Sequence, residues 1–370
     1  MDKNQICSSC VMDTSDPGIS FDAEGRCSVC MAYAERKKTQ GYHPHKSDEH
    51  LQAQVAKLKA HGKHKDYDAI LGLSGGVDSA YLLYLAHRLG LRVLAVHVDT
   101  GWNSEIAVHN IQRMCDRLGI TLHTIVIDWP AIKELQRAYM LSGVANLDVP
   151  QDHAFMSSLL AFAKKHRQKY LLSGTNLATE GAGPPFSLQQ SYLDTRHMRH
   201  IYRQHGRGKS IRKYPLLPLP KAGLMLLRIR QIMLLNDIPY SKKEAISVLK
   251  EKFGWEYYGG KHFESRFTKY FQSVYLPQKF GYDKRRYHIS CLVLNDEMTR
   301  EEALAELAHP PYPPQAQRED EEYVLKKLDI TPAQWQQIID SPPTPNHQYP
   351  SWEKMIRYAR RLWHSHEKQV

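Results

Sequence analysis

The chain has 370 residues, enough for one large domain with accessory units, and carries a formal net charge of +11 with an isoelectric point near 9.2. This charge favours anionic partners, either nucleic acid or small molecules bearing phosphate or carboxylate. No N-terminal stretch resembles a signal peptide and no apolar stretch is long enough to span a bilayer, so the sequence predicts a cytoplasmic protein without a membrane partner.

Residues 1–35 contain two Cys-x-x-Cys pairs separated by sixteen residues. Four thiolates at this spacing are typical of a tetrahedral Zn²⁺ site in a small ribbon, and the absence of an open ligand position indicates a structural ion. Disulfides are the alternative, but they suit a secreted protein better than a cytosolic one. Residues 36–66 are polar and predict an exposed helical linker. The predicted zinc ligands are Cys7, Cys10, Cys27 and Cys30.

Residues 67–235 alternate short apolar runs with helical patterns, which predicts an α/β domain with a parallel sheet. In such sheets ligands bind beyond the carboxyl ends of the strands, and polar turns follow the apolar runs here. The predicted strands are 69–73, 92–98, 122–127 and 170–173. Four helices are predicted: one that begins near Ala80, and three that span residues 105–118, 131–141 and 152–166.

The first apolar run ends in Ser74-Gly-Gly-Val-Asp-Ser79, directly before a helical pattern. Backbone N–H groups and a helix N-terminus converge at such a turn and bind phosphate, and the two glycines let the main chain approach an anion. A carboxylate does not belong in a purely anion-binding loop, so we expect Asp78 to hold a divalent cation against the phosphates. The loop has no lysine of the Walker type.

This motif resembles the PP-loop of the ATP pyrophosphatase superfamily, whose members cleave ATP between the α- and β-phosphates and activate an oxygen by adenylation. The resemblance implies an adenine nucleotide α-hydrolase-like domain. It also implies that the end of the second strand lies beside adenine and ribose, and that a loop after the fourth strand faces the phosphates. The expected ATP-binding residues are Ser74, Gly75, Gly76, Val77, Ser79, His97, Val98, Asp99, Gly174, Thr175, Asn176 and Glu180.

Residues 195–230 hold ten Lys or Arg side chains and no acid. Such a run is commonly a solvated face, but it also suits a pocket rim or mobile loop that binds the triphosphate and an anionic substrate. Within it, Tyr214-Pro-Leu-Leu-Pro218 followed by Lys221 resembles a segment of amidotransferase relatives that brings a lysine to the ATP phosphates. The resemblance makes Lys221 a candidate catalytic residue.

Beyond residue 235 the chain is helical and aromatic. Residues 236–308 predict a helical substrate or cap region with dense polar and aromatic clusters at 254–266 and 279–286. Four prolines between His309 and Pro314 predict a boundary, so residues 309–370 are expected to form a Pro-rich hinge and a small helical tail.

A four-Cys ribbon joined to this loop resembles the N-acetyl sugar amidotransferase family of surface-polysaccharide and nonulosonate biosynthesis. Residues 6–17 and 259–269 carry further similarity. Members convert a sugar acetamido group to an acetamidino group: ATP adenylates the amide oxygen, ammonia attacks and AMP leaves. The resemblance implies a nucleotide-linked or acidic N-acetyl sugar substrate, as in O-antigen biosynthesis, with ATP and Mg²⁺ held at Asp78. We expect His153 or His262 to manage the protons of ammonia.

Neither known arrangement of a glutaminase nucleophile is present, because Asp2 follows Met1 and neither Cys115 nor Cys291 is flanked by glycines. We therefore expect a separate glutaminase subunit, and the resemblance implies the histidine-biosynthesis type that pairs with a barrel protein. The strongest rival is a tRNA-thiolating enzyme, which generally needs catalytic cysteines in the loop domain, where only Cys115 occurs. A non-enzymatic nucleotide- or nucleic-acid-binding module is a further alternative, but Asp78 and the second loop argue against it.

Overall fold

The structure is a computed structural model and describes residues 5–39, 48–181, 188 and 190–358. At its centre lies a five-stranded, all-parallel sheet with strand order β3-β2-β1-β4-β5. This topology confirms the predicted parallel α/β fold, and the first four strands lie where the apolar runs predicted them. The strands are β1 Ala69–Gly72, β2 Val93–Asp99, β3 Leu122–Val126, β4 Tyr170–Leu172 and β5 Arg230–Ile232.

Helices cover both faces of the sheet, and further helices form the C-terminal region. The α-helices among the described residues are α1 Ser28–Thr39, α2 Asp48–Gly62, α3 Val77–Arg88, α4 Glu105–Leu118, α5 Trp129–Ser142, α6 Val149–Lys165, α7 Leu177–Glu180, α8 Thr195–His205, α9 Leu219–Arg228, α10 Lys242–Phe253, α11 Arg266–Tyr270, α12 Leu276–Phe280, α13 Arg285–Val293, α14 Arg300–Leu307, α15 Pro314–Lys327 and α16 Pro332–Asp340. A π-helical turn, Phe271–Tyr275, joins α11 to α12.

The central strand β1 is apolar throughout because helices bury both of its faces. Its Leu71 lies opposite Ala95 of β2 on one side and Leu172 of β4 on the other. The sequence did not predict β5. That strand lies at the sheet edge with Arg230 and Gln231 exposed, so it has no apolar run to reveal it.

Two apolar layers enclose the sheet. Helices α2, α3, α4 and α10 pack on one face, and α6 and α9 pack on the other. The predicted linker between residues 36 and 66 is therefore only partly exposed, because α2 buries Leu51, Val55 and Leu58 at helical spacing. Residues 40–47 of that linker lie outside the described part of the chain.

The C-terminal region packs onto the central domain. Phe271, Val324 and Trp335 share one apolar cluster with Leu135 of α5 and Met198 of α8. The segment predicted as a tail thus contributes to the core as far as residue 349, while its last residues, 359–370, lie outside the described ones. Among the described helices, none combines the length and the apolar character that crossing a membrane requires.

Candidate active site

The glycine-rich turn joins the end of β1 to the start of α3, at the carboxyl edge of the sheet. Gly75 adopts a left-handed backbone with φ of 87°. A Cβ on Gly75 would lie 3.0 Å from the Cβ of Ala107, so a larger residue does not fit. The hydroxyls of Ser74 and Ser79 are 3.1 Å apart, and Ser79 Oγ also donates to the carbonyl of Gly76. The sequence-predicted loop is therefore a rigid turn at a helix N-terminus, as phosphate binding requires.

Asp78 lies at the centre of a buried charge cluster. Its Oδ2 accepts a hydrogen bond from the Lys261 ammonium at 2.7 Å and another from the Thr179 hydroxyl at 3.3 Å. The Tyr240 hydroxyl donates to its Oδ1. Lys261 also forms an ion pair with Glu180 at 2.9 Å. The phosphate turn (residues 74–79), the segment after β4 (residues 173–180, the second loop) and the C-terminal region thus meet at the Lys261 ammonium group.

The electrostatics of this cluster keep its members charged. Burial acts to raise the pKa of Asp78, but the Lys261 ammonium, the Tyr240 hydroxyl and the charge of Lys242 together lower it, and the net pKa lies below the ordinary value. For Lys261, burial acts to lower the pKa, and the carboxylates of Asp78 and Glu180 raise it above the usual range. Because each charge compensates the other, the ion pairs persist in a site largely withdrawn from water.

A cavity of about 650 Å³, the front cavity, opens over the turn. Phe155, Met156 and Leu159 of α6 form an apolar part of its wall, which suits an adenine ring, while the phosphate turn and Lys261 form a polar part. The sequence-predicted residues that line it are Ser74, Gly76, Val77, Asp78, Ser79, His97, Val98, Gly174, Thr175, Glu180 and His262.

The second loop packs directly against the first. A Cβ on Gly174 would lie 2.7 Å from the backbone N of Ser79, so only glycine allows this approach. Asn176 does not line the front cavity; its side chain is buried and caps α7 by accepting from the N–H of Thr179 at 2.9 Å. Asn176 therefore stabilises the second loop and does not contact a ligand in the front cavity.

The turn after β2 is held by its own side chains. His97 contacts the carbonyl of Leu73 through Nδ1 and the Asn103 side chain through Nε2, at 2.8 and 2.9 Å. Asp99 accepts from the N–H of Gly101 at 2.7 Å and from Asn103 at 3.1 Å. Asp99 thus stabilises the turn and is not among the residues that line the front cavity.

His153 is not positioned to transfer protons to or from ammonia. The side chain is fully buried; Nδ1 lies 2.6 Å from the carbonyl of Tyr192, and the N–H of Leu217 donates to Nε2 at 3.0 Å. Burial lowers its pKa, which favours the neutral ring. With both nitrogens engaged by backbone groups, His153 ties two segments together and has no nitrogen left for ammonia.

His262 does line the front cavity, with its Nδ1 lying 3.7 Å from a carboxylate oxygen of Glu264. Lys221 does not. It is exposed on α9, in the first turn of the helix that leads to β5. A helix that precedes a parallel strand begins at the carboxyl edge of the sheet, so Lys221 lies at the correct edge but outside the cavity lining. Its phosphate-binding role stays a prediction.

None of the ten basic residues between 195 and 230 lines the front cavity. Some of them form ion pairs instead: Arg207 pairs with the buried Glu134 and with the exposed Asp329, and the exposed Lys213 lies 3.6 Å from Asp128. Of the two interpretations of residues 195–230, a solvated face or the rim of a pocket, the structure favours the solvated face.

A second space, the side cavity of about 580 Å³, adjoins the front cavity. Both are lined by Asp152 and His262. Its inner wall carries Asp148, whose pKa burial raises to about 6, and Lys284, whose pKa burial lowers to about 8. Burial and the neighbouring Asp148 also raise the pKa of Asp152 well above its ordinary value. The junction of the two cavities thus holds a carboxyl group, Asp152, that keeps its proton to a higher pH than an ordinary aspartate.

The four ribbon cysteines come together as predicted. Their Sγ atoms all lie within 4.8 Å of one another and all four side chains are buried. Backbone N–H groups of Ser9, Cys10 and Cys27 donate to the Sγ of Cys7, which is how a protein stabilises thiolates around a metal. The donor set therefore fits a metal ion. The ribbon packs on α13 and α14, where Arg300 donates to the carbonyls of Cys7 and Cys10.

Sequence reasoning missed three side chains that complete the site: Tyr240, Tyr258 and Lys261. The Tyr258 hydroxyl accepts from the N–H of Val77 at 3.1 Å, which couples the C-terminal region to the start of α3. The Gly259-Gly260-Lys261 sequence was a usable signal, because a lysine after paired glycines also occurs in other phosphate-binding turns. Nothing local in the sequence distinguishes Tyr240.

Two parts of the chain match known families. Residues 68–183 match the family described as queuosine biosynthesis protein QueC, and residues 264–362 match the C-terminal domain of the LPS biosynthesis protein WbpG-like family. The first segment contains Asp78 and Glu180, and the second contains Glu264 and Lys284. Both family segments therefore contribute to the walls of the adjoining cavities.

Curated relatives match parts of this chain. A tRNA(Ile)-lysidine synthase from Chlamydia felis is 30% identical over 161 residues, which are 42% of this chain and 46% of the relative. One subunit of a glutamine-hydrolysing GMP synthase from Archaeoglobus fulgidus is 35% identical over 115 residues, 30% of this chain and 35% of the relative. This chain thus spans less than half the length of each of these relatives.

A solved NMN synthetase from Francisella tularensis aligns with 56% of this chain and 87% of its own, at 19% identity and a TM-score of 0.29, too low to carry any argument. The chain therefore joins a QueC-like PP-loop segment to a WbpG-like C-terminal segment on a parallel α/β sheet, which supports the PP-loop resemblance that the phosphate turn indicated.

Proposed function

We propose that this protein is an ATP-dependent amidotransferase that converts the acetamido group of a sugar to an acetamidino group during bacterial surface-glycan biosynthesis. The observation that carries the proposal is the shared site: the PP-loop domain supplies the phosphate turn, while the WbpG-like region supplies part of an adjoining side cavity. An adenylating enzyme with a second substrate needs two such connected spaces.

In this reaction the front cavity binds ATP, with the phosphates over the turn from Ser74 to Ser79. The amide oxygen of the sugar attacks the α-phosphorus, and the Lys261 ammonium stabilises the negative charge that develops on the phosphates. Asp78 and Glu180 would hold the Mg²⁺ that accompanies ATP, since their carboxylates already enclose one cation, the Lys261 ammonium. Mg²⁺ neutralises phosphate charge when bound.

The side cavity would hold the sugar, with its acetamido group at the junction beside Asp152 and His262. Ammonia attacks the adenylated carbon there, AMP leaves, and one proton of the attacking nitrogen must be removed. Asp152 is positioned to accept it, because it lines both cavities and its raised pKa makes the carboxylate a better base than an ordinary aspartate. Arg36 and Lys284 in the same wall suit an acidic or nucleotide-linked sugar.

Ammonia would come from a separate glutaminase subunit. A glutaminase nucleophile has to be accessible, but Cys115 and Cys291, the cysteines outside the ribbon, are both buried. Burial also raises the pKa of Cys115 to about 11, so its thiol is protonated and unreactive. The same observation disfavours the tRNA-thiolating alternative, which needs a reactive cysteine near the phosphate turn.

Two further parts of the proposal concern the ribbon and the location. The four-Cys cluster would hold a structural Zn²⁺, because four buried thiolates leave no position for a substrate. We place the enzyme in the cytoplasm, where ATP and nucleotide-linked sugars are available.

The test is a mass-spectrometric assay of the purified protein with ATP, Mg²⁺ and ammonium chloride against a panel of acetamido sugars and their nucleotide-linked forms. The expected product has the amide oxygen replaced by NH and appears together with AMP and pyrophosphate. Asp78→Ala should abolish all three products. If no sugar reacts while tRNA stimulates pyrophosphate release, RNA modification replaces the sugar proposal.

A further inference from the structure

A third space, the rear cavity of about 230 Å³, lies against the same lysine that closes the phosphate site. It shares Lys242 and Lys261 with the front cavity and Lys284 with the side cavity. Exposed residues, among them Glu306 and His309, form another part of its wall. The rear cavity therefore adjoins the phosphate site on one side and reaches exposed residues on the other, away from the apolar α6 wall of the front cavity.

The lining of the rear cavity is strongly cationic. Its charged side chains are Lys242, Lys261, Lys284 and Arg285, and the one carboxylate in the described lining is the exposed Glu306. Two of these cations are neutralised elsewhere, since Lys261 pairs with Asp78 and Glu180, and Arg285 pairs with Asp283.

Within the described part of the chain, the other two lysines form no direct ion pair. Among the described residues, neither Lys242 nor Lys284 has a carboxylate within ion-pair distance. Lys284 instead lies 3.4 Å from Nε2 of His288, whose Nδ1 is buried without a hydrogen-bond partner in the described part of the chain. Burial lowers the pKa of Lys284, and the carboxylates of Asp148 and Glu180 act against this shift from a distance. Burial and the neighbouring Lys261 lower the pKa of Lys242. A wall with four cationic side chains and a single exposed carboxylate in its described lining suits an anionic ligand.

We propose that the rear cavity binds the pyrophosphate released from ATP and is its route out of the site. The proposal rests on the proposed cleavage of ATP between the α- and β-phosphates. In that step the acceptor oxygen bonds to the α-phosphorus, and the bond from this phosphorus to the α,β-bridging oxygen breaks. The electron pair of the broken bond leaves with pyrophosphate. Pyrophosphate carries more negative charge than any other product, and the cationic side chains of the rear cavity can bind it.

A diphosphate fits this space better than the other reaction components. The nucleoside needs apolar walls, which α6 provides in the front cavity, whereas ammonia is neutral and gains nothing from four cations. The same diphosphate chemistry could come from the carrier nucleotide of a sugar substrate, so the experiment must separate pyrophosphate from UDP. Retention of pyrophosphate behind Lys261 would leave the adenylated sugar undisturbed for attack by ammonia.

Lys284→Met tests the proposal, because Lys284 does not line the front cavity and methionine keeps the volume of the chain. Isothermal titration calorimetry of the full-length protein with pyrophosphate, AMP and UDP should show pyrophosphate binding weakened about tenfold or more, with AMP and UDP binding unchanged. Lys284 is half-buried and forms no ion pair among the described residues, so its replacement should change the melting temperature little, and weakened binding would not reflect misfolding. The matched control is Lys243→Met, an exposed lysine of α10 outside all three cavities.

Two results would overturn the proposal: pyrophosphate affinity that Lys284→Met leaves intact, or a loss confined to UDP, which would assign the cavity to the sugar carrier. The outcome is independent of the sugar assay. If no acetamidino product forms but Lys284→Met still weakens pyrophosphate binding, the proposed function fails and the rear site stands. If the product forms and the variant binds pyrophosphate normally, the proposed function stands and the rear-cavity proposal fails.

Discussion

At the scale of single residues, Lys261 has the largest electrostatic role, because one ammonium neutralises the carboxylates of Asp78 and Glu180 in a site where both side chains are mostly withdrawn from water. Lys261→Met would leave two buried carboxylates without a partner. We expect it to lower the free energy of unfolding by about 3 kcal/mol and ATP-dependent pyrophosphate release by about 100-fold or more.

Urea unfolding and a pyrophosphate-release assay measure these two effects. Lys243→Met, which removes the charge of an exposed neighbouring lysine, should change neither quantity by much. Full activity in a folded Lys261→Met protein would remove Lys261 from the mechanism.

Asp148 provides a pH-dependent signature of the side cavity. Burial raises its pKa from 3.8 to about 6, so the folded state holds this proton more tightly than the unfolded state. The resulting cost to stability is absent below about pH 4 and grows as the pH rises to about 6. Asp148→Asn can still accept from Gln151 and Thr268 but does not titrate.

We expect Asp148→Asn to be more stable than the wild type by about 1.6 kcal/mol at about pH 5 and by up to about 3 kcal/mol at about pH 7.5. Urea unfolding at both pH values measures the gap. A gap that does not widen with pH would mean that Asp148 is ionised in the folded protein throughout this range.

The residue scale is also where sequence reasoning was weakest. His153 and Lys221 have suitable chemistry, but His153 uses both ring nitrogens on backbone groups and Lys221 lies outside the cavity lining. Lys261, which does reach the phosphate turn, is 183 residues from its partner Asp78. A side chain's type predicts what it can do, whereas its partners depend on long-range packing.

At the scale of elements, the two loops at the carboxyl edge of the sheet form one unit through Gly174. A Cβ there would lie 2.7 Å from the backbone N of Ser79, so Gly174→Ala must push the second loop away from α3. We expect a loss of stability of about 2 kcal/mol and weaker ATP binding.

The matched control is Gly223→Ala, because Gly223 lies within α9 with open space where the Cβ would project. This change should raise stability by about 0.5–1 kcal/mol, since alanine favours the helix. Thermal unfolding and nucleotide titration of both variants check the pair. Unchanged ATP affinity in Gly174→Ala would show that the two loops act separately.

The ribbon is a second element with a direct test. Its described core includes the four cysteines with Met12 and Ile19, too little apolar surface to fold alone, so we expect one bound zinc ion per chain. A chelator, or Cys10→Ser, should release the metal and lower the melting temperature. The ribbon packs on α13, and Lys284, the residue directly before that helix, lines the side and rear cavities, so weaker substrate binding should follow. Metal analysis with thermal unfolding measures this, and a metal-free chain of unchanged stability would contradict it.

At the scale of the whole molecule, our proposals assign a separate task to each of the three adjoining cavities: nucleotide binding in front, the acceptor at the side and the anionic leaving group at the rear. None of these three tasks is the hydrolysis of glutamine by a nucleophilic cysteine. We expect the purified chain to make acetamidino product with ammonium chloride but not with glutamine. Glutamine should become effective when a separate glutaminase of the histidine-biosynthesis type is added. Product from glutamine with the purified chain alone would disprove the separate-subunit proposal.

The sequence by itself determined the elements whose signal is local. The apolar runs of β1 to β4, the phosphate turn and the Cys-x-x-Cys pairs were all readable because burial on both faces, backbone geometry and metal ligation each restrict residue type over a few neighbouring positions. The short edge strand β5 escaped prediction because its exposed residues are under no such restriction.

Only the tertiary structure decided which charges compensate one another. The pairing of Lys261 with Asp78 and Glu180, the unpaired state of Lys284 among the described residues and the packing of the C-terminal helices on α5 all join residues far apart in the chain. Electrostatic energy depends on distance in space and on burial, and neither follows from position along the chain. The sequence therefore identified an ATP-binding turn, and the fold showed what surrounds it.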